Sequence, residues 1–413
     1  MRNTTTAAAT ANSLEDYRWL TSPAAHEWLE SAAGLERSLT VQVAQLRSHL
    51  SPPRTHLVVE QIALRGKART KFAAAERMFF APRLLEQATD EIVAAYKAGR
   101  FASGTRVFDL CSGIGGDLLA LARRGETVGV DHDPIAAILA EANGRVLGDE
   151  NPDGEPPTGR FEVQVRDVDQ IDLSACAAWH IDPDRRPGGR RTTLVDLHEP
   201  GPETIERLLA RNRNGAIKLS PAARMPASWI EEAELEWISR GQECRQLVAW
   251  FGDLARQPAR RRATVLGAGI AAPRSIVGAA GEEPPIADQI GRYLFEPDAA
   301  VLAAKLEGAL AEEHALGAIA PGIAYWTGDH AIMDPALACF EVHEVLPFHL
   351  KPLKAWLRAR DIGRLEIKKR GVEHDPAELR RKLDLSGSQS ATLLLMSIER
   401  RVTAILAARV VAP

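Results

Sequence analysis

The stretch Asp109-Leu110-Cys111-Ser112-Gly113-Ile114-Gly115-Gly116 constrains this chain more than any other. It continues a short β-like run, Arg106-Val107-Phe108-Asp109-Leu110, and leads into a helical pattern from Asp117 to Arg124. Glycines after a first strand let the backbone turn tightly and approach a ligand closely. A second β-like run, Thr127-Val128-Gly129-Val130-Asp131, ends on an acid, and Asp133-Pro134 opens the next helix with Asp as N-cap and Pro at the first helical position. An acid at the tip of a second strand accepts hydrogen bonds from both hydroxyls of a ribose. Loop and acid together describe an adenosine-containing cofactor at the carboxyl ends of parallel strands. A dinucleotide fingerprint asks for a third glycine where Leu118 stands, which disfavours a pyrophosphate.

Further strands are expected at Phe161–Val165, Ala178–Asp182 and Ala216–Leu219. Strands alternating with helices imply an α/β fold with a doubly wound parallel sheet. Ahead of it, residues 14–101 carry helical spacing. Leu84, Leu85, Ala88, Ile92, Ala95 and Tyr96 mark one amphipathic helix ending near Gly99. A chain of 413 residues needs more than one core. The expected division is a helical N-terminal domain at 1–100 (its first 13 residues frayed), a cofactor domain at 101–270, an Ala/Gly/Pro/Glu-rich linker at 271–288, and a C-terminal α/β region at 289–413. Within the cofactor domain, 151–159 reads as a loop. Within the last region, Asp298–His314 reads as a helix, Leu365–Lys368 and Thr392–Leu395 as strands, and Pro376–Leu383 as a helix.

The net charge of −4 argues against binding nucleic acid through bulk charge. Read by segment, the charge is patterned. Arginines gather at 185–191 and 260–262, and Leu346–Leu383 holds eleven Lys or Arg against five Asp or Glu. The four cysteines, Cys111, Cys176, Cys244 and Cys339, have neither disulfide-framework nor zinc-site spacing, and Cys111 reads as a small packed residue. The 11 histidines form no H-E-x-x-H, so no metal is expected. No secretory h-region opens the chain, and no apolar run reaches the ~18 residues of a membrane helix. A cytoplasmic protein with no membrane partner is expected.

The glycine motif and its acids resemble class I S-adenosylmethionine-dependent methyltransferases, whose first motif reads acid-x-x-x-Gly-x-Gly-x. The resemblance covers residues 101–270. It implies a Rossmann-like sheet and S-adenosyl-L-methionine as cofactor. Asp109 and the backbone of Gly113, Gly115 and Gly116 would hold the methionine end, and Asp131 the ribose. His132 or Asp133 would flank the adenine, and Asp167 would accept from its amino group.

His180-Ile181-Asp182-Pro183-Asp184-Arg185-Arg186 resembles the Asn/Asp-Pro-Pro-aromatic motif of amino-group methyltransferases. There the acid side chain and the following carbonyl, here Asp182 and Pro183, accept from the target amine. Asp184 replaces the second proline and Arg185 the aromatic. A guanidinium plane can stack on a base or pair with phosphate. Arg186, Arg190 and Arg191 bracket Gly188-Gly189 and suit phosphate binding. Lys218 is either a substrate contact or a surface lysine, and Gln87 and Thr89 read as helix surface.

Residues 343–413 resemble the THUMP-like domain attached to some bacterial methyltransferases. THUMP domains proper capture structured RNA, so by analogy Lys368, Lys369 and Arg370 would dock RNA electrostatically. The combined expectation is a methyltransferase acting on a base amino group of tRNA or rRNA. Two alternatives stay open: a small-molecule or protein substrate, or an RNA-binding protein that keeps the fold without catalysis.

Overall fold

The computed structural model describes residues 14–33, 39–148, 160–185, 192–267, 272–398 and 401–411. The frayed start at 1–13, the loop at 151–159 and the substrate arginines Arg186, Arg190 and Arg191 lie outside these described residues. The chain forms two compact units, Met1–Ala233 with Val248–Pro258, and Glu234–Leu247 with Ala259–Pro413. This division differs from the expected boundaries at 100 and 270.

The first unit opens with helices α1 (residues 14–20), α2 (Pro23–Ala33), α3 (Leu39–Arg47), α4 (Pro52–Ala68), α5 (Pro82–Gln87) and α6 (Glu91–Ala98). The single helix expected through 84–99 is thus two. Ala88 leaves the helical region at ψ 135°, and the Asp90 side chain caps α6 by accepting from the Val93 amide. The face that α6 buries is Val93, Ala94, Lys97 and Ala98, not the expected stripe of Ile92, Ala95 and Tyr96.

Five parallel strands follow: β1 (Val107–Leu110), β2 (Thr127–Asp131), β3 (Phe161–Val165), β4 (Ala178–Ile181) and β5 (Gly215–Leu219), in the order β3-β2-β1-β4-β5. Between them run α7 (Gly116–Ala122), α8 (Pro134–Gly148) and α9 (Pro202–Arg211), and α10 (Ala227–Glu232) follows β5. This is the doubly wound sheet the sequence predicts. Its order turns back between β1 and β4, the place where such sheets open a crevice for a ligand.

The N-terminal helices are not a separate layer. Leu20, Leu29, Leu64, Phe79 and Phe80 share one buried cluster with Ile114 of the glycine loop, Leu119 of α7 and Leu139 of α8. Two buried amides fasten the extended segment between α4 and α5. Asn143 accepts from the Phe79 amide at 2.7 Å and donates to the carbonyls of Phe79 and Ile114. Gln61 accepts from the Phe80 amide at 3.0 Å and donates to the Phe80 carbonyl. Both satisfy backbone groups that burial would otherwise strand.

The second unit contains β6 (Glu234–Arg240), the first residues of β7 (Glu243–Trp250), β8 (Arg261–Leu266) and β9 (Arg274–Gly278). Strand β9 lies inside the expected linker. The rest of the unit is a seven-stranded sheet with strands β10 (Tyr293–Pro297), β11 (Gly317–Ala318), β12 (Trp326–Gly328), β13 (Leu337–Pro347), β14 (Ile362–Arg370), β15 (Gln389–Ile398) and β16 (Arg401–Arg409). Their order is β11-β12-β10-β13-β16-β15-β14. Helices α11 (Ala299–Ala304) and α12 (Glu307–Glu313) replace the single helix expected at 298–314, because Lys305 turns left-handed at φ 55°. Helices α13 (Leu350–Ala359) and α14 (Pro376–Leu383) cover the β13–β16 end through Leu353, Leu357, Leu379 and Leu383. No helix among the described residues is long and apolar enough to cross a membrane.

Candidate active site

The glycine loop leaves β1 through three left-handed residues, Cys111 at φ 57°, Gly113 at φ 55° and Gly115 at φ 91°. A Cβ on Gly113 would meet nothing within 4 Å, so open space lies beside the loop there. Gly116 does the opposite job. A Cβ there would sit 2.9 Å from the Thr89 carbonyl oxygen, so its bare backbone lets α7 press against the turn between α5 and α6.

Asp131 ends β2 with 7 % of its surface exposed. Its Oδ2 accepts from the Gly113 amide at 2.9 Å and its Oδ1 from the Asp133 amide at 2.9 Å. Burial pushes its carboxyl up, against the pull of these two bonds. Each oxygen retains a second lone pair for a hydroxyl donor. Asp133 accepts from the Ile135 amide and starts α8, as its Asp-Pro sequence predicts. The His132 side chain is 83 % exposed, with Nδ1 3.7 Å from Asp131. Asp167 is exposed and caps the turn after β3 through the Asp169 amide.

Beneath these strand tips runs a buried chain of polar groups that sequence reasoning missed. Strands β1 and β4 pair with Asp109 opposite His180. His180 Nδ1 lies 2.7 Å from Asp109 Oδ1, and its Nε2 lies 3.3 Å from Lys97 Nζ on α6. Lys97 binds Asp117 Oδ1 at 2.7 Å, and Thr89 donates to Asp117 Oδ2 at 2.6 Å. None of these five residues exceeds 8 % exposure. An ammonium can only donate, so Lys97 leaves His180 Nε2 bare and the ring proton sits on Nδ1, facing Asp109. Burial pushes Asp109 up and Lys97 down. Burial also opposes the charge on Asp117, but the Lys97 ammonium beside it holds that carboxyl below the usual range. Asp109 Oδ2 is buried with no partner. Thr89 is therefore an interior tie, not helix surface.

The loop after β4 is tied to α5. Asp182 Oδ2 receives Lys218 Nζ at 2.5 Å, and the same ammonium donates to the Gln87 carbonyl at 3.1 Å. Lys218 is only 12 % exposed, so it is an internal partner of Asp182 and not a surface lysine. Asp184, standing where the resemblance expects proline, accepts from Gln87 Nε2 at 2.8 Å and from Arg83. Gln87 is thus a loop clamp. Pro183 is buried, and Arg185 is half-buried with its carbonyl accepting from the Thr192 amide. Burial pushes the Cys111 thiol up, and Asp131, Asp182, Asp109 and Asp167 add to the shift. The same four carboxylates crowd the strand tips.

These features suit S-adenosylmethionine. The crevice offers a carboxylate at the end of β2, open space beside Gly113, and an excess of negative charge at the strand tips, with the unpartnered Asp109 Oδ2 buried beneath them. Such a set matches a ligand with ribose hydroxyls, an ammonium and a sulfonium.

In the second unit the expected basic triplet divides. Strand residues alternate faces. Lys368 and Arg370 both bind Glu296, at 2.7 and 3.0 Å, while Lys369 is exposed. Lys351, Lys369 and Arg381 are exposed without an ion pair among the described residues. The arginines at 260–262 form no patch, because Arg262 is buried against Glu234 and Arg261 lies over Trp237. Glu313, His314 and Asp334 bring potential ligand atoms within 4.8 Å of one another. Arg274 already bridges both carboxylates, at 2.7 Å to Glu313 and 3.0 Å to Asp334.

A family model described as THUMP domain-like matches residues 337–409. An uncharacterized S-adenosylmethionine-dependent methyltransferase of Mycobacterium tuberculosis, found in two strains, is 32% identical over 353 residues, covering 83% of this chain and 92% of its own. A crystal structure of a proposed methyltransferase from Porphyromonas gingivalis superposes with a TM-score of 0.74 at 18% identity, covering 97% of this chain and 99% of the other, and so shares the fold. With its glycine loop, its strand-tip acids and these relatives, the chain belongs to the S-adenosylmethionine-dependent methyltransferase family and is an enzyme that uses S-adenosylmethionine.

Proposed function

We propose that this methyltransferase transfers the methyl group to an amino group on a base of structured RNA, tRNA or rRNA. The observation that carries the reading is the tip of β4. Asp182 stands there beside the cofactor strands, half-exposed, with one oxygen on Lys218. The other oxygen and the Pro183 carbonyl would accept from the two hydrogens of an amine and turn its lone pair toward the methyl. S-adenosylmethionine supplies a methyl on a sulfonium, a leaving group already activated. Positioning can then provide most of the rate without a strong base. Lys218 would hold the Asp182 carboxylate in place.

In the same reading, Asp109 and the backbone at Gly113, Gly115 and Gly116 hold the methionine end, Asp131 the ribose, and His132 and Asp167 the adenine. Arg185 stacks on the target base or meets a phosphate, with Arg186, Arg190 and Arg191 beside it in sequence. RNA is favoured by the THUMP-like match and by the unpaired Lys351, Lys369 and Arg381 of that unit. Lys368 and Arg370 contribute less, since they share Glu296 and Lys368 also meets Glu366.

A small-molecule or protein substrate is the second reading, and that internal pairing favours it. The test is incubation with labelled S-adenosylmethionine and total RNA from a strain lacking the enzyme, followed by nucleoside mass spectrometry. A base methylated on an exocyclic nitrogen is expected. Label found only in protein or small molecules overturns the RNA reading.

A further inference from the structure

The buried chain Asp109–His180–Lys97–Asp117 does not balance its charges. Lys97 is the partner of Asp117. With Lys97 donating to Nε2, His180 is a neutral ring that donates through Nδ1. One carboxylate charge, that of Asp109, is left over, and its Oδ2 has no partner. The neighbours do not supply the missing cation. On β5, Lys218 is spent on Asp182, and beyond β1 the Cys111 thiol stays protonated. Thr89, between α5 and α6, donates to Asp117. An uncompensated buried carboxylate is costly, so either a proton or a ligand cation must sit with Asp109.

We propose that in the cofactor-free enzyme the Asp109–His180 pair holds one extra proton, and that binding of the cationic cofactor sends this proton to solvent. The inference rests on the reading that Asp109 faces the methionine end of S-adenosylmethionine, where an ammonium takes the place of the proton. No covalent bond other than the one to that proton changes. The proton belongs to the coupled pair and not to one residue. Lys97 is a positioning residue here, since its bond to Nε2 keeps the Nδ1 proton on Asp109. Burial of Asp109, which favours its neutral form, supports the same direction.

The test is calorimetric titration of the full chain with S-adenosylmethionine in buffers of different ionisation enthalpy. The pH is kept well below the range of about 7.7–8.0 in which a ligand α-amino group loses its own proton. Release approaching one proton is expected at the acidic end of the series. Affinity should rise with pH by up to about tenfold per unit there and level off toward neutrality. Asp109→Asn keeps an acceptor for His180 and removes the charge. It should bind more weakly, with no proton release and a flat pH profile. Asp131→Asn should also bind more weakly but keep the release.

Nitrogen-15 spectra of His180 in the wild-type chain supply a readout independent of any variant's folding. The cofactor-bound ring should carry its proton on Nδ1 with Nε2 bare. Binding without proton release, release retained in Asp109→Asn, or a proton on Nε2 in the bound state overturns the proposal and leaves the cofactor site in place. A chain that does not bind S-adenosylmethionine overturns both.

Discussion

Replacing Lys97 by Met tests how much the first unit depends on its buried ion pair. Lys97 and Asp117 are both buried, and they meet at 2.7 Å. Methionine fills nearly the same unbranched volume, so little of the effect comes from a cavity. Removing one partner of a buried pair costs about 3–5 kcal/mol, because the other charge stays buried and unpaired. Total stabilities of about 5–15 kcal/mol make that a large fraction. The charge count sharpens the expectation. Lys97→Met removes one positive charge from the buried cluster, whereas Lys97→Met with Asp117→Asn leaves its net charge unchanged.

The double variant should therefore be more stable than the single one, by about 2 kcal/mol or more on the same scale. Urea unfolding followed through the buried tryptophans Trp179, Trp229 and Trp250 of the first unit measures both. The pH dependence has a definite sign. Lys97 depresses the Asp117 carboxyl in the folded state. Its contribution is present in full above the unfolded value of about 3.9 and is lost as pH falls below it, so the gap between wild type and Lys97→Met should close in acid. A loss below about 1 kcal/mol at neutral pH, or a double variant weaker than the single, would refute the reasoning.

Asp131→Ala should weaken S-adenosylmethionine binding at least about 100-fold in a folded chain, since charge-assisted bonds are worth about 1.5–3 kcal/mol each, read by titration calorimetry. Asp182→Ala should keep cofactor affinity within about threefold while turnover falls about 100-fold or more, because it removes positioning of the acceptor and not of the cofactor. Single-turnover label transfer separates the two. Lys369→Glu should lower RNA affinity and flatten its salt dependence without changing the melting temperature. Lys368→Glu should instead lower the melting temperature, because it sets two carboxylates together at Glu296. Equal effects of the two on RNA binding would contradict the assignment of opposite strand faces.

The parallel sheet was legible because short β-like runs alternate with helical spacing, and β2 and β3 begin and end where those runs do. Breaks set by single backbone angles were not. Ala88 and Lys305 interrupt apolar spacing that reads as one helix across each of them. Strand β13 went unseen because Glu341, His343 and Glu344 interrupt its apolar residues and its partners β10 and β16 are distant in sequence. The site divides in the same way. Asp109, Asp131 and Asp182 announce themselves at strand tips. Lys97 reads as an ordinary lysine in the last turn of a helix, and Asp117 as an acid in the first turn. What joins them is the register of β1 against β4. Aligning the two strands by their ends would have set His180 beside Asp109 and raised the question of its other nitrogen. Lys218 carried a similar hint, since it stands on β5, next to the strand that ends at Asp182.

The close seat of Gly116 against the Thr89 carbonyl bears on how this enzyme can be cut. A fragment beginning at the sequence's apparent domain edge near residue 101 keeps the glycine motif and every strand of the parallel sheet. It discards Thr89 and Lys97, and with them the only cation that Asp117 binds among the described residues. It also bares Ile114, Leu119 and Leu139, whose apolar partners sit on the lost helices. Such a fragment should express as aggregate. For this chain the smallest soluble catalytic piece starts with the helices, and a truncation series should show solubility vanishing well before the cut reaches the first strand.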